Sequence, residues 1–450
     1  MSGVTFLFLY GLVWSSVALL ANRWRRLHAL VWMSGALASL WIGARWPEDR
    51  PVLVLGREVW LRHPFVWHDL TFRVDAEARH MWWILGLAVL VWSGLAFLLP
   101  RWGKGLGWLP LLILTAIPAI TVQSVWGVAW GLAIWVLGTT FFTQGGAAGH
   151  VHGGWRWSFP LVLAAILGFF LLYPPDPNTA QIPPWQIALT AIILILTTQL
   201  FPLHTGLLAL TQGSEPIRGA WAWWIHTLVV MVGFIRLGAH AELVQAQWNA
   251  LDWFQFLAYL TLIWSGVAAL TTNNVRRLWG YAALYNWALT FALWIAAPTS
   301  RGTWEWTLAV RWLALGIGGF ALTTLLSAGE TGDLEHLSGW ARRRPWSVTA
   351  WAISVATLAG VPFTPGFWTQ WLVHFHLATA SPLSWLALIG GMGVALGLIR
   401  ALVTLWGPLR DRLLVREGDG ESFALIVLSG LLVSGALFPT WLAALGRLLW

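Results

Sequence analysis

The sequence predicts an all-α polytopic membrane protein with about fourteen transmembrane helices. Three observations support this class. The 450-residue chain is 58% hydrophobic and 10% charged, whereas soluble domains carry about 25% charged residues. Apolar segments of about 17 to 25 residues, the length that crosses about 30 Å of hydrocarbon, recur along the whole chain. Two of these segments are interrupted by prolines, which end or kink a helix.

The predicted spans follow one another closely and leave no segment for a soluble domain. One long connection, from about residue 46 to residue 79, separates the second span from the third. The approximate limits of the spans are 3–22, 28–45, 80–100, 106–122, 124–144, 156–174, 183–203, 218–237, 253–271, 279–298, 303–327, 346–380 (interrupted), 382–405 and 422–448.

The basic residues predict how the chain is oriented. In a soluble protein the net charge of +8 would suggest an anionic partner, but here the arginines lie in short loops, where they set orientation. We therefore expect a multi-pass protein of a prokaryotic inner (plasma) membrane, with both termini on the extracytoplasmic side and no nucleic-acid partner. The side interpreted as cytoplasmic contains Arg23, Arg25, Arg26, Arg101, Lys104, Arg156, Arg218, Arg276, Arg277, Arg342, Arg343, Arg344, Arg400, Arg410, Arg412 and Arg416.

Two spans are interrupted at matching places in the chain. Pro202 follows the apolar run of the seventh span, and Pro362, Pro365 and Gly366 interrupt the twelfth. If spans 4 to 8 and 9 to 13 are two five-helix units, each interruption occupies the fourth place, a pattern typical of inverted-repeat transporters. The sequence therefore predicts helices 1–3 with an extracytoplasmic loop in residues 1–105, two inverted repeats in 106–237 and 253–405, and a C-terminal helix in 406–450.

Several short motifs resemble those of one membrane family, in the same order. They are HDLTFRVDA before the third span, FPLHTG and GSEPIRGA around the end of the seventh, WIHTLVVMVGFIRL in the eighth, NNVRRLWGYAALYN at the tenth, GETGDLEHLSGW after the eleventh and LAGVPFTPGFWTQW in the twelfth. Together they resemble the antiporter-like subunits of respiratory complex I (NADH:quinone oxidoreductase) and the Mrp-type cation/proton antiporters. The resemblance covers roughly residues 65 to 380 and identifies the chain as a divergent member.

The resemblance implies a proton relay, most of whose charges are missing here. Family members place a glutamate on helix 5, a lysine on helix 7, a lysine or histidine on helix 8, and a lysine or glutamate on helix 12. The glutamate position falls near Trp130 or Gly131, and no acidic residue occurs between Glu77 and Asp176. The lysine of helix 7 corresponds to Thr197, and the charged position of helix 12 corresponds to Gln370. His226 matches the histidine form of helix 8.

Three polar residues in or beside the predicted spans, Arg311, His204 and His226, have two readings each. Arg311 stands where the family often has a histidine. It either has a partner, namely Glu305, a backbone carbonyl freed by an interrupted helix or an acidic group on another subunit, or reaches the interface along its own stem. His204 either caps backbone freed at the proline turn or takes part in proton movement. His374 follows Gln370 by one turn. His226 itself is either a packing histidine or a relay station.

The predicted function is that of an antiporter-like membrane subunit of a complex I-related assembly, which takes part in proton translocation coupled to quinone reduction with a depleted charge relay. The alternatives are a non-pumping docking subunit, or the proton-coupling membrane subunit of an inorganic-carbon accumulation or Mrp-type system. The expected partners are other membrane subunits, the lipid bilayer and protons, or Na⁺. The chain has no cysteine and no nucleotide-binding motif, so we predict no cofactor, no metal and no catalysis by this chain alone.

Overall fold

The structure is a computed structural model. It describes residues 1–47, 50–67, 70–103, 106–123, 127–144, 151–170, 183–239, 248–296, 301–326, 331–408 and 416–440. This part of the chain contains sixteen α-helices and two short antiparallel hairpins. The chain divides into two compact units. Unit 1 comprises residues Met1–Val151, Ser158–Thr198 and Ile225–Trp248, and unit 2 comprises His152–Trp157, Gln199–Trp224 and Asn249–Trp450.

Unit 1 is built on the first helices and contains both hairpins. Strands β1 (Val52–Val54) and β2 (Arg57–Val59) pair with each other, as do β3 (Phe65–Trp67) and β4 (Leu70–Phe72). Helix α2 packs on α3, and α4 packs on α5 and on α1. The helices are α1 (Gly3–Leu20), α2 (Arg25–Arg45), α3 (Ala76–Leu98), α4 (Leu109–Thr121), α5 (Gly127–Gln144), most of α6 (Val151–Phe170), and α7 (Pro184–Thr198).

The motif HDLTFRVDA forms the entry to the third helix. Its middle residues are strand β4, and the Asp75 carboxylate accepts a hydrogen bond from the backbone N–H of Ala78 at 2.8 Å. This N-cap starts α3 at Ala76, four residues before the predicted limit, because it satisfies backbone donors that the first turn leaves free. Gln123 Nε2 also donates to Asp75, so the cap is tied to the end of α4.

Unit 2 is built around one central helix. Helix α9 (Pro216–Ala239) is divided, with its first part in unit 2 and its later part in unit 1. The other helices of unit 2 are α8 (Thr205–Gly213), α10 (Trp248–Thr271), α11 (Val275–Ala296), α12 (Arg301–Leu325), α13 (Pro345–Ala359), α14 (Pro365–Ala380), α15 (Trp385–Leu405) and α16 (Asp419–Leu437). Helix α11 contacts α8, α12, α13, α14 and α15. It is buried along most of its length.

Seven helices in the described part are long and apolar enough to cross a membrane. They are the helices within Gly3–Arg23, Arg25–Arg45, Ala76–Leu98, Trp253–Thr271, Trp306–Leu325, Pro382–Leu405 and Asp419–Leu437. The chain is thus a multi-helix integral membrane protein. The total of fourteen spans, the inverted repeats and the four predicted segments stay predictions.

Both proline-containing segments are interrupted in the structure. Helix α7 ends at Thr198 and α8 begins at Thr205, while α13 ends at Ala359 and α14 begins at Pro365. Each interruption contains a non-glycine residue in the left-handed region, Gln199 (φ 49°) in the first and Phe363 (φ 68°) in the second. Such residues are uncommon because their side chains crowd the backbone. The short helix α8 was not foreseen as a separate element.

A loop of unit 2 docks onto the start of the central helix. The Asn274 side chain accepts hydrogen bonds from the backbone N–H groups of Arg276 and Arg277, and therefore caps α11. Asn274 Nδ2 donates to Asp333 at 2.9 Å, and Thr331 Oγ1 donates to the same carboxylate at 2.6 Å. The motif GETGDLEHLSGW therefore holds the connection between α12 and α13 against the N-terminus of α11.

We expect this loop to make stability depend on acidity. The hydrogen bonds from Thr331 and Asn274 hold the pKa of the Asp333 carboxyl below its usual value. A depressed folded pKa stabilises the protein above the unfolded pKa of about 4, and the contribution is lost as pH falls through the folded pKa. The melting temperature of Asp333→Asn should therefore lie below that of the wild type at pH 7, and the difference should shrink below about pH 4. Thermal unfolding in detergent at several pH values measures it.

The matched control is Glu335→Gln, an exposed acid of the same loop. Its melting temperature should follow that of the wild type at every pH. A difference for Asp333→Asn that stays constant down to pH 3 contradicts the assignment, because a carboxylate that loses its charge cannot keep the same advantage over an amide.

Candidate functional site

Arg311, on α12 in unit 2, is a buried cation of the described interior. Its side chain is 1% exposed. Nη1 donates to the carbonyl oxygen of Ala283 at 2.7 Å and to Asn286 Oδ1 at 3.1 Å, both on α11. The guanidinium carbon lies 5.4 Å from the ring centroid of Trp223 and 5.5 Å from that of Trp287. The two rings supply cation–π attraction where water is excluded.

This arrangement decides between the two readings of Arg311. The side chain does not reach an interface, because it is enclosed by α9, α11 and α12. The carbonyl that it contacts belongs to the middle of α11. The sequence had suggested a carbonyl of an interrupted helix instead. The side chain of Glu305, the other proposed partner, lies outside the described residues.

A second polar cluster lies at the interruption between α13 and α14. Gln370 Nε2 donates to the carbonyl of Leu358 at 2.7 Å, one of the last carbonyls of α13, which lose their helical partners where the helix ends. Tyr285 lies on α11, and its hydroxyl donates to the carbonyl of Ala387 at 3.0 Å. The same oxygen is 3.5 Å from Gln370 Oε1, too far for a strong bond. Gln370 therefore satisfies the interrupted backbone without a charge.

One glycine makes this contact possible. Gly360 ends α13 with φ 72°, the left-handed conformation common after helix C-termini. The amide of Gln370 lies against its Cα, in the space that a Cβ would need. The neutral side chain at position 370 is thus fitted to the end of α13. His374, one turn later on α14, is only partly buried, and its Nδ1 has no hydrogen-bond partner among the described residues.

The interruption before α8 contains the other predicted proline turn. Phe201 and His204 stack with ring centroids 5.6 Å apart, and Trp264 of α10 lies 5.9 Å from the His204 ring. The backbone N–H of Phe201 donates to Thr261 Oγ1 at 2.8 Å, and Gln199 Nε2 donates to the carbonyl of Trp157 at 2.8 Å. The Thr261 hydroxyl therefore satisfies one backbone donor of the turn, the Gln199 side chain ties the turn to the Trp157 carbonyl, and His204 packs between aromatic rings.

His226 is the fully buried histidine of α9. Its side chain is 0% exposed, and its ring centroid lies 5.6 Å from that of Trp135 on α5. Thr197, which is also in unit 1, is buried near the end of α7, and its hydroxyl donates to the carbonyl of Leu194 at 3.0 Å. Arg311 and Gln370 belong to unit 2, so the structure does not bring all four predicted stations together within one unit.

Carboxylates are rare in the described interior. Glu421, in the first turn of α16, is the one buried carboxylate there. Asp252 and Glu305 lie near the starts of α10 and α12, and their side chains lie outside the described residues, as does Lys104. Among the residues described, no group of three histidine or acidic side chains could hold a metal ion.

Arg344 was predicted to be a loop arginine, but it is buried in the structure. Its side chain is 1% exposed, Nη1 donates to the carbonyls of Thr324 and Leu325, and the guanidinium lies 5.2 Å from the Trp340 ring. These carbonyls belong to the end of α12, so Arg344 neutralises the negative end of that helix. The signal that could have revealed it is a basic residue placed to bond the last carbonyls of a preceding helix.

Comparison with known proteins agrees with the resemblance. Residues 184–397 match the family model described as "NADH:quinone oxidoreductase/Mrp antiporter, TM". NADH-quinone oxidoreductase subunit N of Salinispora arenicola is 29% identical over 261 residues, which are 56% of this chain and 47% of that protein. The chain thus spans about half the length of the curated relatives it matches.

Two solved structures have the same fold over nearly the whole chain. A chain of respiratory complex I from Thermus thermophilus has a TM-score of 0.70 at 19% identity and covers 99% of this chain and 100% of its own length. A chain of the Mrp complex from Dietzia sp. has a TM-score of 0.76 at 14% identity and covers 99% and 96%. Residues 184–397 therefore match the NADH:quinone oxidoreductase/Mrp antiporter family model, and the chain is a membrane protein with the fold of chains found in respiratory complex I and the Mrp complex.

Proposed function

We propose that this chain is a membrane subunit of a complex I-related assembly that takes part in proton translocation coupled to quinone reduction, with a depleted charge relay. The observation that carries the proposal is His226, a fully buried titratable side chain whose ring lies beside Trp135. Imidazole is the side chain whose charge changes near neutral pH, and an indole face attracts its protonated form.

His226 lies beside an aromatic ring, which attracts a cation less strongly than a carboxylate does. Helix α5, where the family's glutamate is expected, has no acidic residue and presents Trp135 to the imidazole. An aromatic face stabilises a cation by about 0.5 to 2 kcal/mol, less than a buried carboxylate does. Thr197 and Gln370 then contribute hydrogen bonds but no charge.

The proposed ion is the proton. Exchange of Na⁺ through this chain alone would need paired acidic and basic groups in the membrane, and the described interior has no acid near the centre of a helix. The proposed partners are other membrane subunits, which would supply protons to the site and carry the redox chemistry.

We expect His226→Gln to lower the number of protons moved per quinone reduced by the intact assembly in proteoliposomes. The rate of quinone reduction should fall little, because the redox chemistry lies on other subunits. A pH-sensitive dye and quinone absorbance, followed in the same vesicles, give the ratio. His63→Gln is the matched control, since His63 is exposed in unit 1. An unchanged ratio in His226→Gln contradicts the proposal and favours the docking role.

A further inference from the structure

The Arg311 guanidinium uses one of its three nitrogens for hydrogen bonds within the described part of the chain. Nη1 carries the bonds to Ala283 and Asn286. Nε and Nη2 are buried and have no acceptor among the described residues. A buried donor without an acceptor is uncommon, and a buried charged donor is more so.

The two free donors form one edge of the guanidinium. The Nε–H and the adjacent Nη2–H bonds point the same way and are about as far apart as the two oxygens of a carboxylate. Such a pair of donors binds a carboxylate through two parallel hydrogen bonds, an arrangement called a bidentate fork. The bonds from Nη1 fix the plane of the group, and the rings of Trp223 and Trp287 are already beside it. The edge is therefore a preformed, dry fork on a rigid helix pair.

We propose that the Nε/Nη2 edge of Arg311 binds a carboxylate-type oxyanion, a planar group that presents two oxygens. One negative charge neutralises the single positive charge of Arg311, whereas a dianion would leave a net charge in a low-dielectric interior. Chloride is a single spherical ion, so it cannot lie on the axes of both parallel N–H bonds at once. This inference does not depend on proton translocation by the chain.

The oxyanion has two sources, a small free anion from solution or the carboxylate of Glu305. Glu305 lies six residues before Arg311 on α12, about 9 Å along the helix axis. Six residues also turn through about 600°, so the two positions are on different faces of the helix. The register therefore favours a free anion, and the experiment separates the two sources.

The probe is formate, added to the purified full-length chain in lipid nanodiscs at constant ionic strength. We expect the melting temperature to rise with formate concentration and then to saturate. Chloride or sulfate should need at least a tenfold higher concentration to give the same rise. Arg311→Met should abolish the formate response. Arg311→Lys keeps the charge but loses the fork, so it should weaken formate binding at least tenfold while it preserves the fold. Arg277→Met, an exposed arginine of α11, is the control and should respond like the wild type.

Two results overturn the inference. One is an equal formate response in Arg311→Lys and the wild type, which would place the anion elsewhere. The other is the absence of any response in the wild type together with additive effects of Arg311→Met and Glu305→Gln on the melting temperature. If formate has no effect but those two substitutions are strongly non-additive, the fork holds a carboxylate and its source is Glu305.

Discussion

Replacement of Asn286 by leucine is expected to lower the free energy of unfolding by about 3 to 5 kcal/mol, because it removes an acceptor from a buried guanidinium. Asn286 Oδ1 accepts from Arg311 Nη1 at 3.1 Å, and both residues are almost fully buried. Leucine has the same number of heavy atoms and the same branching as asparagine but offers no oxygen. The cation would then keep the Ala283 carbonyl and two indole rings, which do not replace the lost hydrogen bond. Unfolding of the full chain in mixed detergent micelles measures the loss.

A double-mutant cycle separates this electrostatic effect from packing. Arg311→Met combined with Asn286→Leu replaces both partners by apolar side chains, a change that is often nearly neutral for buried polar pairs. We therefore expect the double variant to be more stable than Asn286→Leu alone. If instead the two losses simply add, Asn286 acts through its shape and not as the acceptor for Arg311.

The need of Arg311 for compensation could be predicted, but its burial and its partners could not. A permanent charge inside a predicted span demands compensation, and that argument needs only local sequence. The compensating groups lie on α11 and α9, 24 or more residues away along the chain. Which faces of α9, α11 and α12 meet is decided by packing in the folded unit. Asn286 and Trp287 look like ordinary residues of an apolar span until those helices meet.

The two helix interruptions show the same limit in backbone terms. Proline predicts where a helix stops, because it lacks an N–H and clashes with the preceding turn. It does not predict the conformation of the residues between the helices. Gln199 and Phe363 adopt left-handed φ values although neither residue type favours them, so no sequence signal marks them. The surrounding contacts hold them, such as the hydrogen bond from Gln199 to Trp157.

The relay positions divide in a similar way. The resemblance aligned Thr197, His226 and Gln370 with charged family positions, and all three are buried in the structure. Their roles stay predictions. The resemblance could not show which contacts a neutral residue makes at such a position. Gln370, for example, donates a hydrogen bond to the Leu358 carbonyl at the end of α13. That use depends on the precise approach of α14 to the last turn of α13.

The close approach of α14 to α13 predicts the largest steric effect among the glycines that the structure describes. Gly366 lies in the first turn of α14, and a Cβ there would overlap the carbonyl oxygen of Thr357 and lie 2.7 Å from its carbon. Both are backbone atoms of α13 and cannot rotate away. We expect Gly366→Ala to destabilise the full chain by about 3 kcal/mol or more, because relief requires α14 to move away from α13. That movement would also break the hydrogen bond from Gln370 to Leu358.

Gly316→Ala is the matched control, since no atom lies within 4 Å of the Cβ position on α12. Alanine is a better helix former than glycine by about 1 kcal/mol, so this variant should melt at or above the wild-type temperature. Thermal unfolding of the two variants in the same detergent compares a blocked contact with an open one. Equal melting temperatures for Gly366→Ala and Gly316→Ala contradict the close approach. The interruption would then be held by its prolines alone, and the position of Gln370 would not depend on the contact between α13 and α14.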